Sequence, residues 1–331
     1  MDPFPSLPTL SSLGPSARLF VGLDVGGTKI AAGVVDADGH VVERVPAVPC
    51  PAADQEAMLT TAVRLIEALR SRHPGVAGVG VGVAGLVDWP DGRVRTAPNS
   101  AFRDAPLRGL LADATGLPTV VDNDANTACW AEYHLGHRAS YMAFVTVGTG
   151  VGGGLVLDDR LFRGRTGIGT EIGHMIVDPH GSERCGCGTV GCLEPLASGP
   201  ALARYATPAA GPDRPRVTGE DVTAAAQAGD PAARAQLARV GHWLGIGIAT
   251  LVNLFDVELV VLGGGVAEAG EPLLTPVRAS FERYVTARAH RALPDVRLTR
   301  CGPGAGWVGA ALLARDGNCP HRLEAERTAV G

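Results

Sequence analysis

Residues 20–42 and 143–162 are built to one plan: an apolar strand, a glycine turn, and a second apolar strand with no helix between them. The first turn carries Asp24, Gly26, Gly27 and Thr28, and the second carries Gly148, Thr149 and Gly150. Each segment turns again, at residues 36–39 and 158–160, into a further apolar run. Two similar β-meanders far apart in one chain predict two related lobes.

That pattern decides between phosphate-binding architectures. A dinucleotide fingerprint or a P-loop needs a strand, a glycine loop and then a helix, whose N-terminus helps hold the phosphate. Here the turn 24–29 runs into Ile30-Ala31-Ala32-Gly33-Val34-Val35, which reads as a hairpin, and the Walker pattern is absent. An ordinary glycine hairpin without a ligand is the plain alternative for either turn alone. Two in matching contexts, one with a strand-end Asp and a Thr, favour backbone amides offered to a polyphosphate in a shared cleft.

Elsewhere strands alternate with helices, which argues for an α/β architecture. Residues 78–84 form an apolar strand interleaved with glycine, and 119–122 a short strand that runs into a helix over 124–135. A long apolar helix over 234–254 carries Gly241, Gly245 and Gly247, which suggest close packing on a neighbour. A buried strand at 258–262 ends in Gly263-Gly264-Gly265 before a helix over 271–285. Residues 206–218, with Pro and Gly and no periodicity, read as a surface loop.

With 331 residues, 46% hydrophobic, the chain is long enough for two domains. Its net charge of −5, without a long basic run, gives no footprint for nucleic acid or an anionic membrane, so the expected partner is a small molecule. No stretch suggests a transmembrane span. Residues 1–17 are rich in Pro and Ser without a basic start or apolar run, which fits a disordered tail and not a signal peptide. A cytoplasmic, reducing compartment is therefore expected. Lys29, beside the first glycine turn, is the sole lysine.

Three of seven cysteines fall together in Cys185-Gly186-Cys187-Gly188-Thr189-Val190-Gly191-Cys192, eleven residues after His174. Three thiolates and one imidazole make a closed tetrahedral zinc set, structural because no ligand position is left open. Disulfides are disfavoured by the odd number and the expected reducing compartment. Cys50, Cys129, Cys301 and Cys319 are scattered and read as unpaired thiols.

Candidate carboxylates lie in Asp122-Asn123-Asp124-Ala125-Asn126, where strand becomes helix and the helix dipole favours an ionised group. From local sequence alone, a helix cap is the plainer role for Asp122 or Asp124, and Asn99 would be a turn residue. Glu171 and Glu194 flank the proposed metal ligands. Each alone would be a solvated acid; tethered beside a metal, each becomes a rigidly placed hydrogen-bond acceptor.

Taken in order, Asp24-Val25-Gly26-Gly27-Thr28-Lys29, Asp122-Asn123-Asp124-Ala125, Gly148-Thr149-Gly150-Val151-Gly152, Glu171-Ile172-Gly173-His174 and the run from Cys185 to Glu194 resemble the ROK family of sugar kinases and sugar-responsive repressors. The resemblance extends from about residue 19 to 315. It is most specific where Glu-x-Gly-His pairs with Cys-x-Cys-Gly-x-x-Gly-Cys-x-Glu. The resemblance implies a two-lobed actin-like ATPase (ribonuclease H-like) sugar kinase fold with a cleft between lobes, most similar to bacterial glucokinases. Implied boundaries are a small lobe over 18–121 completed by a helix at 304–316, a large lobe over 122–303 carrying a zinc-binding loop at 174–192, and a tail over 317–331. The repressors carry an N-terminal helix-turn-helix domain, for which the short Pro-rich tail leaves no room.

By the same resemblance, Asn99, Asn123, Asp124, Glu171, His174 and Glu194 hold the sugar, and Asp124 is the catalytic base. His174 would also ligate zinc beside Cys185, Cys187 and Cys192. ATP would be held by Asp24, Gly26, Gly27, Thr28 and Lys29, by Gly148, Thr149 and Gly150, and by Gly263, Gly264 and Gly265 near the adenosine, with Mg²⁺ near Asp24. A homodimer or homotetramer is implied. Three departures stand out: Gly169-Thr170 where the family has Ala-Gly, Asp122 in place of Glu, and Asp159-Arg160 in a turn where glycine is frequent. Thr170 adjoins Glu171 and leaves room for a hexose other than glucose, or for a sugar-like cyclitol.

Overall fold

The computed structural model describes residues 18–207 and 217–317. The tails at 1–17 and 318–331, Cys319, and most of the expected loop at 206–218 lie outside the described residues. Contacts group the chain into two compact units. The first runs through Arg138 and includes Arg163–Gly169 and the chain from Arg300 on; the second comprises Ala139–Phe162 and Thr170–Thr299.

In the first unit, β1 (Leu19–Val25), β2 (Lys29–Asp36) and β3 (Val41–Pro49) form an antiparallel meander. After α1 (Gln55–Arg72), β4 (Val76–Val83) pairs parallel to β1. Strands β5 (Leu86–Asp88), β6 (Arg93–Thr96) and β7 (Arg103–Ala105) make a small separate sheet, followed by α2 (Leu107–Thr115). Strand β8 (Thr119–Asn123) then pairs parallel to β4 and leads into α3 (Asp124–Leu135), completing the order β3-β2-β1-β4-β8.

The glycines of β1 and β4 have a packing cause. Strand side chains alternate between faces. Val21, Leu23 and Val25 join Met58, Ile66 and Leu69 of α1 in one core. On the other face, a Cβ on Gly22 or Gly80 would collide with the Trp307 or Ala310 carbonyl of the C-terminal helix 305–317. Glycine therefore lets that helix lie almost on the sheet backbone.

The second unit repeats the plan. Strands β9 (Tyr141–Val147), β10 (Val151–Leu157) and β11 (Arg160–Phe162) form the meander. Short helices α4 (Glu194–Ala197), α5 (Gly199–Ala206) and α6 (Gly219–Gln227) precede the long α7 (Pro231–Phe255). Strand β12 (Leu259–Gly263) pairs parallel to β9, α8 (Glu271–Tyr284) follows, and β13 (Asp295–Leu298) pairs parallel to β12. The sheet order is β11-β10-β9-β12-β13, again a meander extended by two parallel strands. The final helix, α9 (Ala305–Gly317), returns to the first unit. Helix α3, assigned by sequence to the larger lobe, packs along α9 and groups with the first unit.

Helix α7 meets the length and composition of a membrane span, yet 11 of its 25 residues, including Leu237, Val240, Leu244 and Ile248, are buried in the second unit's core. It is a core helix. A Cβ on Gly241 or Gly245 would press on Pro276 or Ser280 of α8, and one on Gly247 on Leu193, so the glycines serve close packing. The β10–β11 turn places Asp158 at φ 55° and Asp159 at φ 59°, both in the left-handed region of a two-residue hairpin. Asp tolerates that region better than most residues, which accounts for its standing where glycine is frequent.

Candidate active site

Three parallel strands of the first unit end together. Asp24 of β1 lies opposite Gly82 of β4, which lies opposite Asp122 of β8, so Asp24 and the Asp122-Asn123-Asp124 run emerge at the carboxyl edge of one sheet. Ligand sites of open α/β sheets occur at that edge. The β1–β2 connection is a hairpin, as its sequence requires, closed by Gly26 N–H donating to the Lys29 carbonyl at 3.1 Å.

Neither aspartate caps α3. Asn123 does, its Oδ1 accepting from the Ala125 and Asn126 amides at 2.8 and 3.1 Å while its Nδ2 donates to the Gly85 carbonyl at 3.1 Å. Asp124 is thereby relieved of capping, and its carboxylate accepts the Ala125 amide at 2.9 Å. Burial holds the Asp124 carboxyl above the usual carboxylate range. Asp24 is pushed up to about 7, first by burial and then by the nearby charge of Asp124, against the opposing pull of Lys29. A carboxylate raised by burial beside a second acid is suited to accept a proton, and the pair of acids marks a place for a cation. Asp24 also abuts Gly306 in the first turn of α9, where a Cβ would lie 2.5 Å from Asp24 Oδ2. Asn99 stands against the glycine turn: a Cβ on Gly27 would lie 2.6 Å from its own Cβ.

In the second unit the β9–β10 turn is closed by Gly148 N–H donating to the Gly150 carbonyl at 2.9 Å. The Gly148 carbonyl accepts from Gly199 N–H at 2.8 Å, at the start of α5. Gly264, at φ 86°, packs on the Val147 backbone, where any Cβ would collide. The expected nucleotide segments 148–150 and 263–265 thus meet around the end of β9, lined by backbone.

Glu194 bridges this turn to the cysteine loop. Its Oε2 accepts the Val151 amide at 3.1 Å, and its Oε1 lies 3.9 Å from Cys185 Sγ. The ligand atoms of His174, Cys185, Cys187 and Cys192 lie within 4.8 Å of one another. Cys187 and Cys192 sulfurs are 3.7 Å apart, and Cys185 Sγ is 3.4 Å from His174 Nδ1. Zinc–sulfur bonds of about 2.3 Å put two tetrahedral thiolates about 3.8 Å apart, so the set fits a single zinc ion. Hydrogen bonds from Thr189 lower the Cys187 thiol to about 7, whereas burial lifts Cys192 to about 12. His174 turns its other nitrogen, Nε2, toward Glu171 at 3.7 Å, the carboxylate–histidine pairing usual around ligated imidazoles. Among the described residues Cys50, Cys129 and Cys301 form no disulfide.

Thr170 sits at φ 67°, in the left-handed region that strains a β-branched residue. A glycine at this place would have a backbone reason. Thr170→Gly is expected to relieve about 1 kcal/mol, net of the entropy glycine adds to the unfolded chain, and to raise Tm by about 2 °C. An unchanged or lower melting temperature would contradict this.

The expected sugar-holding residues divide evenly: Asn99, Asn123 and Asp124 belong to the first unit, Glu171, His174 and Glu194 to the second. Sequence reading missed Gly199 and Gly306. The first was signalled by Ser198-Gly199-Pro200, a helix start in which Ser198 caps α5. Gly306 had no local signal, since its role is to let α9 approach Asp24.

A family model described as the ROK family matches residues 20–317. The chain belongs to the ROK family. The glucokinase of Streptomyces coelicolor is 39% identical over 314 residues, covering 90% of this chain and 98% of that protein. The N-acetylmannosamine kinase of Salmonella newport is 36% identical over 299 residues, covering 88% and 97%. Among solved structures, a ROK family glucokinase from Streptomyces griseus in complex with glucose and AMPPNP is 39% identical, with a TM-score of 0.80 over 90% of this chain and all of that one. Family membership and the actin-like sugar kinase fold are as the motifs implied.

Proposed function

We propose that this protein is an ATP-dependent hexokinase-type phosphotransferase that phosphorylates a hexose at the 6-hydroxyl, glucose first among candidates. The observation that carries this reading is Asp124: a carboxylate freed of capping by Asn123, raised by burial, at the carboxyl edge of the first sheet. The kinship to glucokinases over 90% of the chain supports it.

Asp124 takes the proton of the sugar 6-hydroxyl as that oxygen attacks the γ-phosphorus of ATP, assistance typically worth about 10²- to 10⁴-fold. Phosphoryl transfer otherwise needs in-line positioning and charge neutralisation more than covalent help. The amides of 26–28 and 148–150 and the Lys29 ammonium hold the phosphates, and the backbone of 263–265 meets the adenosine. Mg²⁺ beside Asp24 would neutralise phosphate charge. Asn99, Asn123 and Asp124 hold the sugar hydroxyls together with Glu171, His174 and Glu194. His174, Cys185, Cys187 and Cys192 would hold a structural zinc ion, and that closed set would steady the neighbouring Glu171 and Glu194 without taking part in the chemistry. We also propose a cytoplasmic setting, which keeps the three thiols reduced, and assembly as a homodimer or homotetramer.

Strain at Thr170 beside Glu171, with the N-acetylmannosamine kinase kinship, favours as second reading a kinase for another sugar or a cyclitol. The test is kcat/KM with ATP across glucose, mannose, N-acetylmannosamine, N-acetylglucosamine, fructose, 2-deoxyglucose and a C7-cyclitol such as valienol. A site built to bond hydroxyls rejects analogues lacking them, so 2-deoxyglucose is expected well below glucose. If an N-acetyl sugar or the cyclitol exceeds glucose by more than about tenfold, the glucose assignment fails and the kinase assignment stands.

A further inference from the structure

The motif Asp122-Asn123-Asp124 leaves its first member without a task in the reaction. Asp122 is nonetheless buried and fully engaged. Its Oδ1 accepts the Asn123 amide at 2.8 Å and the Asn126 side-chain amide at 2.9 Å, and its Oδ2 accepts Arg163 Nε at 2.6 Å. Both partners of this ion pair are sequestered, with side chains 3% and 13% exposed. The Arg163 guanidinium lies over the Trp89 ring, 3.7 Å from its centroid. A charge held by stacking on one side and by a carboxylate on the other has little freedom, and Arg suits that role through its planar head.

The place of Arg163 in the chain gives the pair a further consequence. It is the first residue of 163–169, the stretch in which the chain leaves the second unit for the first before returning at Thr170-Glu171. That stretch is pinned to Trp89 twice: by the guanidinium on the ring, and by Trp89 N–H donating to the Thr166 carbonyl at 2.9 Å. Gly169 N–H closes it by donating to the Arg163 carbonyl at 3.0 Å. One side chain therefore anchors the segment leading to Glu171 and, through Asp122, the backbone that carries Asn123 and Asp124.

We propose that Arg163 is a positioning residue for the phosphoryl transfer: through Asp122 it fixes the backbone from which Asn123 and Asp124 reach the substrate. The proposal rests on the kinase reading above. A small misplacement of a base costs turnover steeply, on the order of 10²-fold for about 1 Å, whereas contacts to the nucleotide are made elsewhere.

Arg163→Gln is expected to lower kcat for the best sugar about 10- to 100-fold while KM for ATP stays within about twofold. Arg163→Lys, which restores the charge beside Asp122, is expected to recover most of that loss, and Asp122→Asn to reproduce it. The double variant Arg163→Gln/Asp122→Asn should be no slower than either single variant, as expected of two groups acting as one unit. It buries no unpaired charge, so it carries the same test should Arg163→Gln fail to fold. A folded Arg163→Gln or double variant with wild-type kcat, or one whose loss lies in KM for ATP, overturns the positioning role and leaves the kinase reading intact. A wild-type enzyme that turns over no sugar overturns both.

Discussion

Asp124→Asn is expected to reduce kcat at least about 10²-fold while the sugar still binds. The substitution keeps the side chain's size and one hydrogen-bonding oxygen, which can still accept the Ala125 amide, and Asn123 still caps α3. What disappears is the proton acceptor. Steady-state kinetics together with calorimetric titration of the sugar separate the two effects. Turnover close to wild type would remove Asp124 from the role of base, and loss of sugar binding together with turnover would recast it as a binding group.

Purified protein is expected to carry about one zinc per chain, held tightly because closing the loop and binding the metal are one event. The four ligand atoms lie within 4.8 Å of one another, but the three thiols have no common titration: Cys187 is lowered to about 7 and Cys192 raised to about 12. Only a cation would draw all three into the thiolate form at neutral pH. Cys187→Ser is expected to raise KM for the sugar by at least about tenfold and KM for ATP by less than about threefold, because Glu171 and Glu194 are held beside this cluster. Metal-free protein by elemental analysis with full activity would refute the structural zinc.

Much of this was written locally in the chain. Hairpin periodicity around 24–28 and 148–150 excluded a P-loop, and the two meanders proved to have the same sheet order. Helix 124–135 has its expected bounds, and the apolar run 234–254 marked α7 three residues short of its start at Pro231. Less legible were α1 and α2, which carry no chemistry, and the small sheet β5-β6-β7, whose strands of three or four residues are too short to establish a period. The site was legible where function is concentrated in contiguous motifs. It was not where contacts join distant positions: Arg163 meets Asp122 across 41 residues, and Gly306 meets Asp24 from the far end of the chain. The capping of α3 was misjudged for a different reason. Asp122, Asn123 and Asp124 are all good caps, and only the register of strand end against helix start selects Asn123.

The most direct test of the central claim is product identification: incubation of the purified protein with ATP, Mg²⁺ and glucose, with ADP quantified by a coupled assay and the phosphorylated sugar assigned by ³¹P NMR. The account predicts one ADP for each phosphate ester, with the ester on the 6-hydroxyl and no comparable ADP release without sugar. ADP release that ignores added sugar, or no turnover with any member of the sugar and cyclitol panel, would contradict it.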